Sequence, residues 1–174
     1  MSILIRPATA ADIPAITAIY GHAVTYGTAT FELDPPDAAE MGARFDALVS
    51  GDFPYLVGCT KDGRTVGYAY AGLYRTRVAY RHTLEDSIYI DPAFHRHGVG
   101  RALLDRLVAE SEARGFRQMV AVIGDSAQIA SIALHRAAGF RMIGTFEAVG
   151  FKFGRWLDTV MMQRTLGEGT ETVP

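Results

Sequence analysis

The stretch Ser87-Ile-Tyr-Ile-Asp-Pro-Ala-Phe-His-Arg-His-Gly-Val-Gly-Arg101 decides how the rest of the chain is read. Side chains alternate up to its fourth residue (Leu84, Asp86, Ile88 and Ile90 against Glu85, Ser87 and Tyr89), which is strand periodicity, and Asp91-Pro92 stops it. A short basic turn follows. Gly98-Val-Gly100 then opens a helix with an apolar stripe of Val99, Leu103, Leu104, Leu107 and Val108. The first N–H groups of a helix have no partner inside it and carry the positive end of its dipole. Glycine there admits an anion to the backbone, and Arg96, His97 and Arg101 add side-chain donors. The segment reads as a phosphate or pyrophosphate site. A glycine pair at a helix start is also often only a tight turn, so this motif by itself leaves both readings open.

Outward from that segment the elements alternate. Ile3–Ile5 is a short strand, followed by a helix that Thr9 or Asp12 can cap, with Pro14 in its first turn. A second helix is expected from Asp37 to about Val49, then strands at Phe53–Cys59, Thr65–Tyr74 and Leu84–Ile90. After the Gly98–Gly115 helix come a strand at Gln118–Ile123 and a helix at Gln128–Ala138 that ends on a glycine. Strands at Arg141–Thr145 and Gly154–Gln163 follow, with a loop or bulge near Gly150. Antiparallel neighbours come first and a strand–helix–strand crossover later, so the fold class is α/β with a mixed, mostly antiparallel sheet flanked by helices. Residues 1–166 are expected to form one domain and 167–174 a polar, frayed tail.

Composition narrows the function. In 174 residues there is room for one good core, and 49% apolar with 21% charged residues is a globular balance. The formal charge of −2 argues against a nucleic-acid partner. Residues 1–60 hold seven acids and two bases, and residues 61–174 hold twelve acids and fifteen bases; for most of these charges this is scatter over a solvated surface, and the other reading is that the second part binds an anion. Cys59 is the single cysteine and lies in an apolar stretch, which suits a core position. No apolar run is long enough to span a bilayer or serve as a signal peptide, so no membrane role is expected and the cytoplasm is the expected compartment. The Gly-Lys-Ser/Thr ending of an ATP loop is absent, and the third glycine of the dinucleotide fingerprint is replaced by Leu103.

The Arg-x-Gly-x-Gly turn between strand and helix, followed by a helix ending Leu-His-Arg-Ala-Ala-Gly-Phe140, resembles the GNAT superfamily of acetyl-CoA-dependent N-acetyltransferases. Thr30-Phe-Glu32, Tyr68-Ala-Tyr-Ala-Gly72, Glu85–Ile90, Val120–Gly124 and Gly150–Trp156 are similar to the phosphinothricin and methionine sulfoximine/sulfone N-acetyltransferases. The resemblance implies a single-domain GNAT-like fold with splayed central strands. It also implies acetyl-CoA in the cleft between them, with pantetheine along Ile88, Tyr89 and Ile90. The pyrophosphate would lie on Arg96, His97, Gly98, Val99, Gly100 and Arg101, with Gln128 and Ser131 nearby. His95 stands where the superfamily usually has Gln or Arg, and Gln128 where the family tends to have Asn.

Acetyl transfer needs a neutral amine, and Glu85 stands in the position of the family's proposed base. His135 occupies a place where many superfamily members have tyrosine. Two roles stay open for it, protonating the leaving sulfur or contacting the cofactor. Arg75, Arg77 and Arg81 crowd the loop Tyr74–Arg81, where arginine forks suit the oxygens of a small acidic amino-acid analogue; Val78, Ala79 and Tyr80 share that loop, and Phe31 is a second packing candidate. A solvated loop is the alternative. Trp156 suits an interface or the core. His82, His95 and His97 have no carboxylate at ligand spacing, so no metal is expected. The resemblance implies a homodimer. The competing readings are a GNAT acting on an aminoglycoside, a polyamine or a protein N-terminus, and a non-catalytic acetyl-CoA-binding regulatory module.

Overall fold

A computed structural model describes residues 3–174. Seven strands form one sheet in the order β1-β2-β3-β4-β5-β7-β6. They are β1 (Leu4–Pro7), β2 (Tyr55–Cys59), β3 (Thr65–Leu73), β4 (Thr83–Ile90), β5 (Gln118–Gly124), β6 (Arg141–Lys152) and β7 (Arg155–Thr165). The four helices are α1 (Ile13–Tyr26), α2 (Ala38–Ser50), α3 (Val99–Ala113) and α4 (Ile129–Ala137). Only β4 and β5 pair in parallel, because α3 is the crossover between them.

Two cores sandwich the sheet. On one face α1 and α2 bury Ile16, Val24, Met41 and Phe45 against Tyr55, Val57, Cys59 and Tyr68. On the other, Leu103, Leu104 and Leu107 of α3 pack on Leu56, Ala69, Leu84 and Met119. The alternation along β4 sorts its side chains between these layers. Leu84 and Asp86 face α3 and α4, while Glu85, Ser87 and Tyr89 face α1 and α2.

The parallel pairing of β4 with β5 lasts only from Thr83↔Gln118 to Asp86↔Ala121. Beyond it, Ser87–Ile90 pair only with β3, and Val122–Gly124 only with β7. The sheet therefore opens as a wedge between two strands that each keep one partner, which is the expected splay.

Differences from the sequence reading lie mostly at element ends. Asp37 is the cap of α2 rather than its first residue, accepting from the Glu40 N–H at 2.8 Å. Gln128 likewise precedes α4. Strand β6 runs on to Lys152, with register shifts between Met142 and Gly144 and between Phe146 and Gly150, so the expected bulge lies inside one long strand. The residues after Leu166 curl into turns: Arg117 donates to the Thr172 hydroxyl at 2.9 Å and pairs with Glu168 at 3.4 Å. Cys59 is buried. Among the described residues no helix is long and apolar enough to cross a membrane.

Candidate active site

The turn from β4 into α3 is built from backbone geometry. Asp91 accepts from the Ala93 N–H at 3.0 Å and from Arg64 at 2.8 Å, which fixes the end of the strand. Arg96 (φ 64°) and Gly98 (φ 80°) both take left-handed conformations, and such alternation turns successive N–H groups toward one concavity, a shape suited to phosphate oxygens. A Cβ on Gly98 would meet nothing within 4 Å, so its conformation is what demands glycine. Gly100 has a steric constraint as well: a Cβ there would lie 3.2 Å from the Leu134 side chain of α4, closer than an ordinary contact.

This turn is one end of a groove of about 640 Å³. Ile88, Tyr89 and Ile90 line it along β4, Arg96, Gly98, Val99, Gly100 and Arg101 at the α3 end, and Gln128 and Ser131 from α4. The opposite wall is the last two turns of α1, with His22 and Tyr26, which the sequence reading did not single out. Two expected donors are partly committed elsewhere. His97 is not in the groove wall: its Nδ1 lies 2.9 Å from the His95 carbonyl, and His95 takes its place in the lining. Arg101 donates to Asp105 at 2.6 Å and to the Ala137 carbonyl at 2.9 Å, tying α3 to the end of α4. Gln128 donates to the Thr28 hydroxyl at 3.1 Å, and Thr28 in turn donates to Asp125, which Arg155 also contacts.

Where β4 and β5 part, the groove continues into a small pocket of about 50 Å³ lined by Ser87, Ala121, Ile123, Ser131 and His135. A buried pair closes it. His135 Nε2 lies 3.0 Å from Asp86 Oδ2, and its Nδ1 lies 2.8 Å from the Ser131 carbonyl. Burial pulls the imidazole toward neutrality, but the Asp86 hydrogen bond and charge outweigh it and hold His135 above the ordinary histidine value. Both ring nitrogens already have acceptors, which favours contact and support over direct proton donation.

The other face of β4 presents Glu85 and Ser87 opposite Gly72 and Tyr70 of β3. Gly72 allows Leu48 of α2 to pack close beside them, since a Cβ there would lie 3.0 Å from Leu48. Burial raises the Glu85 carboxyl, the neighbouring Asp86 charge adds to this, and Arg75 partly offsets both. The Arg75–Tyr80 loop is exposed and ends at the start of β4, so Glu85 lies between it and the groove. Val78, Ala79 and Tyr80 form a short 3₁₀ turn within it.

Residues 27–32 close over Tyr89. Tyr20 donates to Glu32 at 2.9 Å and shares a hydrogen bond with Thr30 at 2.9 Å, and Arg44 grips Glu32. From β6, the buried Lys152 donates to the Thr30 carbonyl at 3.0 Å. The Phe31 ring is wedged between Gly124 and Gly150: a Cβ on the first would lie 3.0 Å from it, and one on the second would overlap it. The sequence reading chose Phe31 but missed Lys152. A lone lysine between Phe151 and Phe153 was the available signal.

Trp156 is 65% exposed, so the core option for it is excluded. Its ring packs against Phe151 at 5.1 Å, and Phe146, Val149 and Phe153 are also exposed on the β6–β7 hairpin. No group of three metal-ligating side chains occurs among the described residues.

Comparison with known proteins agrees with this geometry. The pattern of the Acetyltransferase (GNAT) family matches residues 18–140. A phosphinothricin N-acetyltransferase of Alcaligenes faecalis is 54% identical, covering 94% of this chain and 82% of that protein. An L-methionine sulfoximine/L-methionine sulfone acetyltransferase of Pseudomonas paraeruginosa is 41% identical over the whole of both chains. A crystal structure of a phosphinothricin acetyltransferase from Sinorhizobium meliloti in complex with AcCoA superposes with a TM-score of 0.97 at 51% identity, covering 100% of this chain and 94% of that one.

Proposed function

The chain belongs to the acetyltransferase (GNAT) family, and on that premise we propose that it acetylates the amine of a small acidic amino-acid analogue, of the phosphinothricin or methionine sulfoximine/sulfone type. Acetyl-CoA supplies the activated acetyl group. The 640 Å³ groove is large enough for pantetheine, and the left-handed Arg96 and Gly98 give its end the shape that a pyrophosphate takes. Ile88–Ile90, Gln128 and Ser131 hold the cofactor along its length.

One observation carries the reading. Strand β4 borders the groove with Ser87–Ile90 and, two residues earlier, carries the half-buried Glu85 in the field of Arg75. In the proposed reaction Glu85 removes a proton from the acceptor's ammonium, and backbone N–H near Tyr89 stabilises developing oxygen charge. The loop of Arg75, Arg77 and Tyr80 receives the acceptor's acidic group, and Phe31 walls its side chain. His135, paired with Asp86, supports the cofactor side. The exposed aromatic side chains of β6–β7 are taken as the contact of a homodimer, and the cytoplasm as the place of action.

Thiol release from acetyl-CoA across an amine panel tests this. Turnover is expected with phosphinothricin or methionine sulfone. Glu85→Gln should lower it by about 100-fold or more while acetyl-CoA binding is kept. Unchanged turnover in that variant removes Glu85 as the base. Turnover only with cationic amines replaces the acidic acceptor with a basic one.

A further inference from the structure

The three arginines of the β3–β4 loop are not equivalent. The Arg75 guanidinium lies 4.3 Å from the centre of the Tyr74 ring. Its Nη1 donates to the Tyr74 carbonyl at 3.2 Å, and its Nη2 reaches the Tyr74 hydroxyl at 3.5 Å. Tyr80 packs edge-on against the same ring, with centroids 5.9 Å apart and planes at 78°. Tyr74 is itself anchored, its N–H donating to the Thr83 carbonyl at 3.1 Å where β4 begins. By contrast, the Arg81 side chain reaches only the Val78 carbonyl among the described residues, at 3.5 Å. The Arg77 side chain makes no hydrogen bond among the described residues.

Among the described residues no carboxylate forms an ion pair with Arg75, and Glu85 acts on it only through its field, so the cation is held in place with its fork open. The ring covers one side of the planar cation, and only two of its five N–H donors are engaged. A guanidinium already stacked loses little freedom when it meets a carboxylate fork-on, and most of the ordering cost of binding is met before the ligand arrives. Its position also matters: Leu73 and Gly72 pair with Leu84 and Glu85, so Tyr74 and Arg75 follow directly from the strand segment beside the base.

We propose that Tyr74 is a positioning residue for acceptor specificity, its ring holding Arg75 so that the guanidinium meets the acceptor's carboxylate while the amine lies at Glu85. This rests on the acetyl-transfer reading above and adds to it the residue that makes the loop selective for acids. Tyr74 touches neither substrate nor cofactor in this scheme. It acts through Arg75, and the aromatic face is the part that matters, with the hydroxyl contact secondary.

The test uses the full chain at saturating acetyl-CoA with two acceptors, methionine sulfone and its carboxyl methyl ester. Tyr74→Leu should raise the KM for the acid about tenfold and leave the KM for the ester within about twofold, the size expected from one lost cation–π platform. The KM for acetyl-CoA and the kcat should stay within about twofold in both cases, because a positioning role in recognition leaves the chemical step alone. Tyr74→Phe keeps the ring and should return the acid KM to within about threefold of the original. An acid KM unchanged in Tyr74→Leu, or acid and ester rising together, overturns the proposal while leaving acetyl transfer standing. An unaltered protein inactive on both acceptors overturns the reading of a small acidic amino-acid acceptor, and this inference with it.

Discussion

The two ends of the site are made differently. The cofactor end is one continuous segment, Ile88–Arg101, in which a strand, a turn with two left-handed residues and a helix start are formed by neighbours in sequence. The acceptor end is assembled from parts far apart: residues 27–32, Tyr70 and Gly72 of β3, the Tyr74–Arg81 loop, and Gly150 and Lys152 of β6. Backbone recognition needs only the correct φ and ψ. Side-chain recognition needs several elements to be in register at once. Substitutions at the two ends should therefore separate cleanly, and those where the ends meet should not.

The Asp86–His135 pair is such a meeting point, joining β4 to α4 across the end of the groove. Asp86→Ala leaves the imidazole buried without its carboxylate and should cost about 3–5 kcal/mol, the largest effect expected here. Thermal or denaturant unfolding measures it, and both acetyl-CoA and acceptor binding should suffer. The sign with pH is fixed by the raised His135 value. Below about 6.5, the unfolded histidine's value, the contribution is whole, and it is lost as pH rises through the folded value. The variant should lack this dependence.

Gly150→Ala tests the acceptor end alone. Its methyl would overlap the Phe31 ring, and relieving that overlap should cost about 1–3 kcal/mol. The acceptor KM should rise and the acetyl-CoA Kd stay unchanged. Gly98→Ala is the opposite experiment. Space is available, so the cost is conformational, about 1–2 kcal/mol for an alanine at φ 80°. Roughly tenfold weaker acetyl-CoA binding, read by calorimetry, is the expected result, with acceptor KM unaffected at saturating cofactor. If either variant moves both affinities equally, the separation of the two ends fails.

The same contrast explains what could be read from the sequence. The β4 alternation, the Asp91-Pro92 stop and the glycines that open or end α3 and α4 act within a few residues, so their consequences are local and legible. The parallel pairing of β4 and β5 follows from α3 as a crossover, and the splay beyond it is implied by the family resemblance alone. Lys152 could not be placed in the same way, because its partner is the carbonyl of Thr30, on the loop after α1. Gly100 lines the groove, as anion approach requires, but its closeness to Leu134 of α4 is a second constraint that no local pattern shows. His97 was chosen for its charge and position, yet its ring turns back on the His95 carbonyl. In each case a contact distant in sequence, or a rotamer, decided the outcome.

The smallest effect sharpens the comparison most, because it is electrical rather than steric. Burial raises the Glu85 carboxyl, Asp86 raises it further, and Arg75 opposes them. The base works ionised, so kcat/KM should fall as pH drops through this raised value, with an acid limb above the free glutamate value of about 4.3. Arg75→Gln removes the opposing cation and should move the limb further up in pH. Arg96→Gln, at the cofactor end, should leave it in place. The acceptor's own amine titrates identically in every variant, so differences between their profiles report on Glu85. A limb that follows Arg96 as strongly as Arg75 would mean that long-range charge sets the base, and that the acceptor loop holds no privileged position beside it.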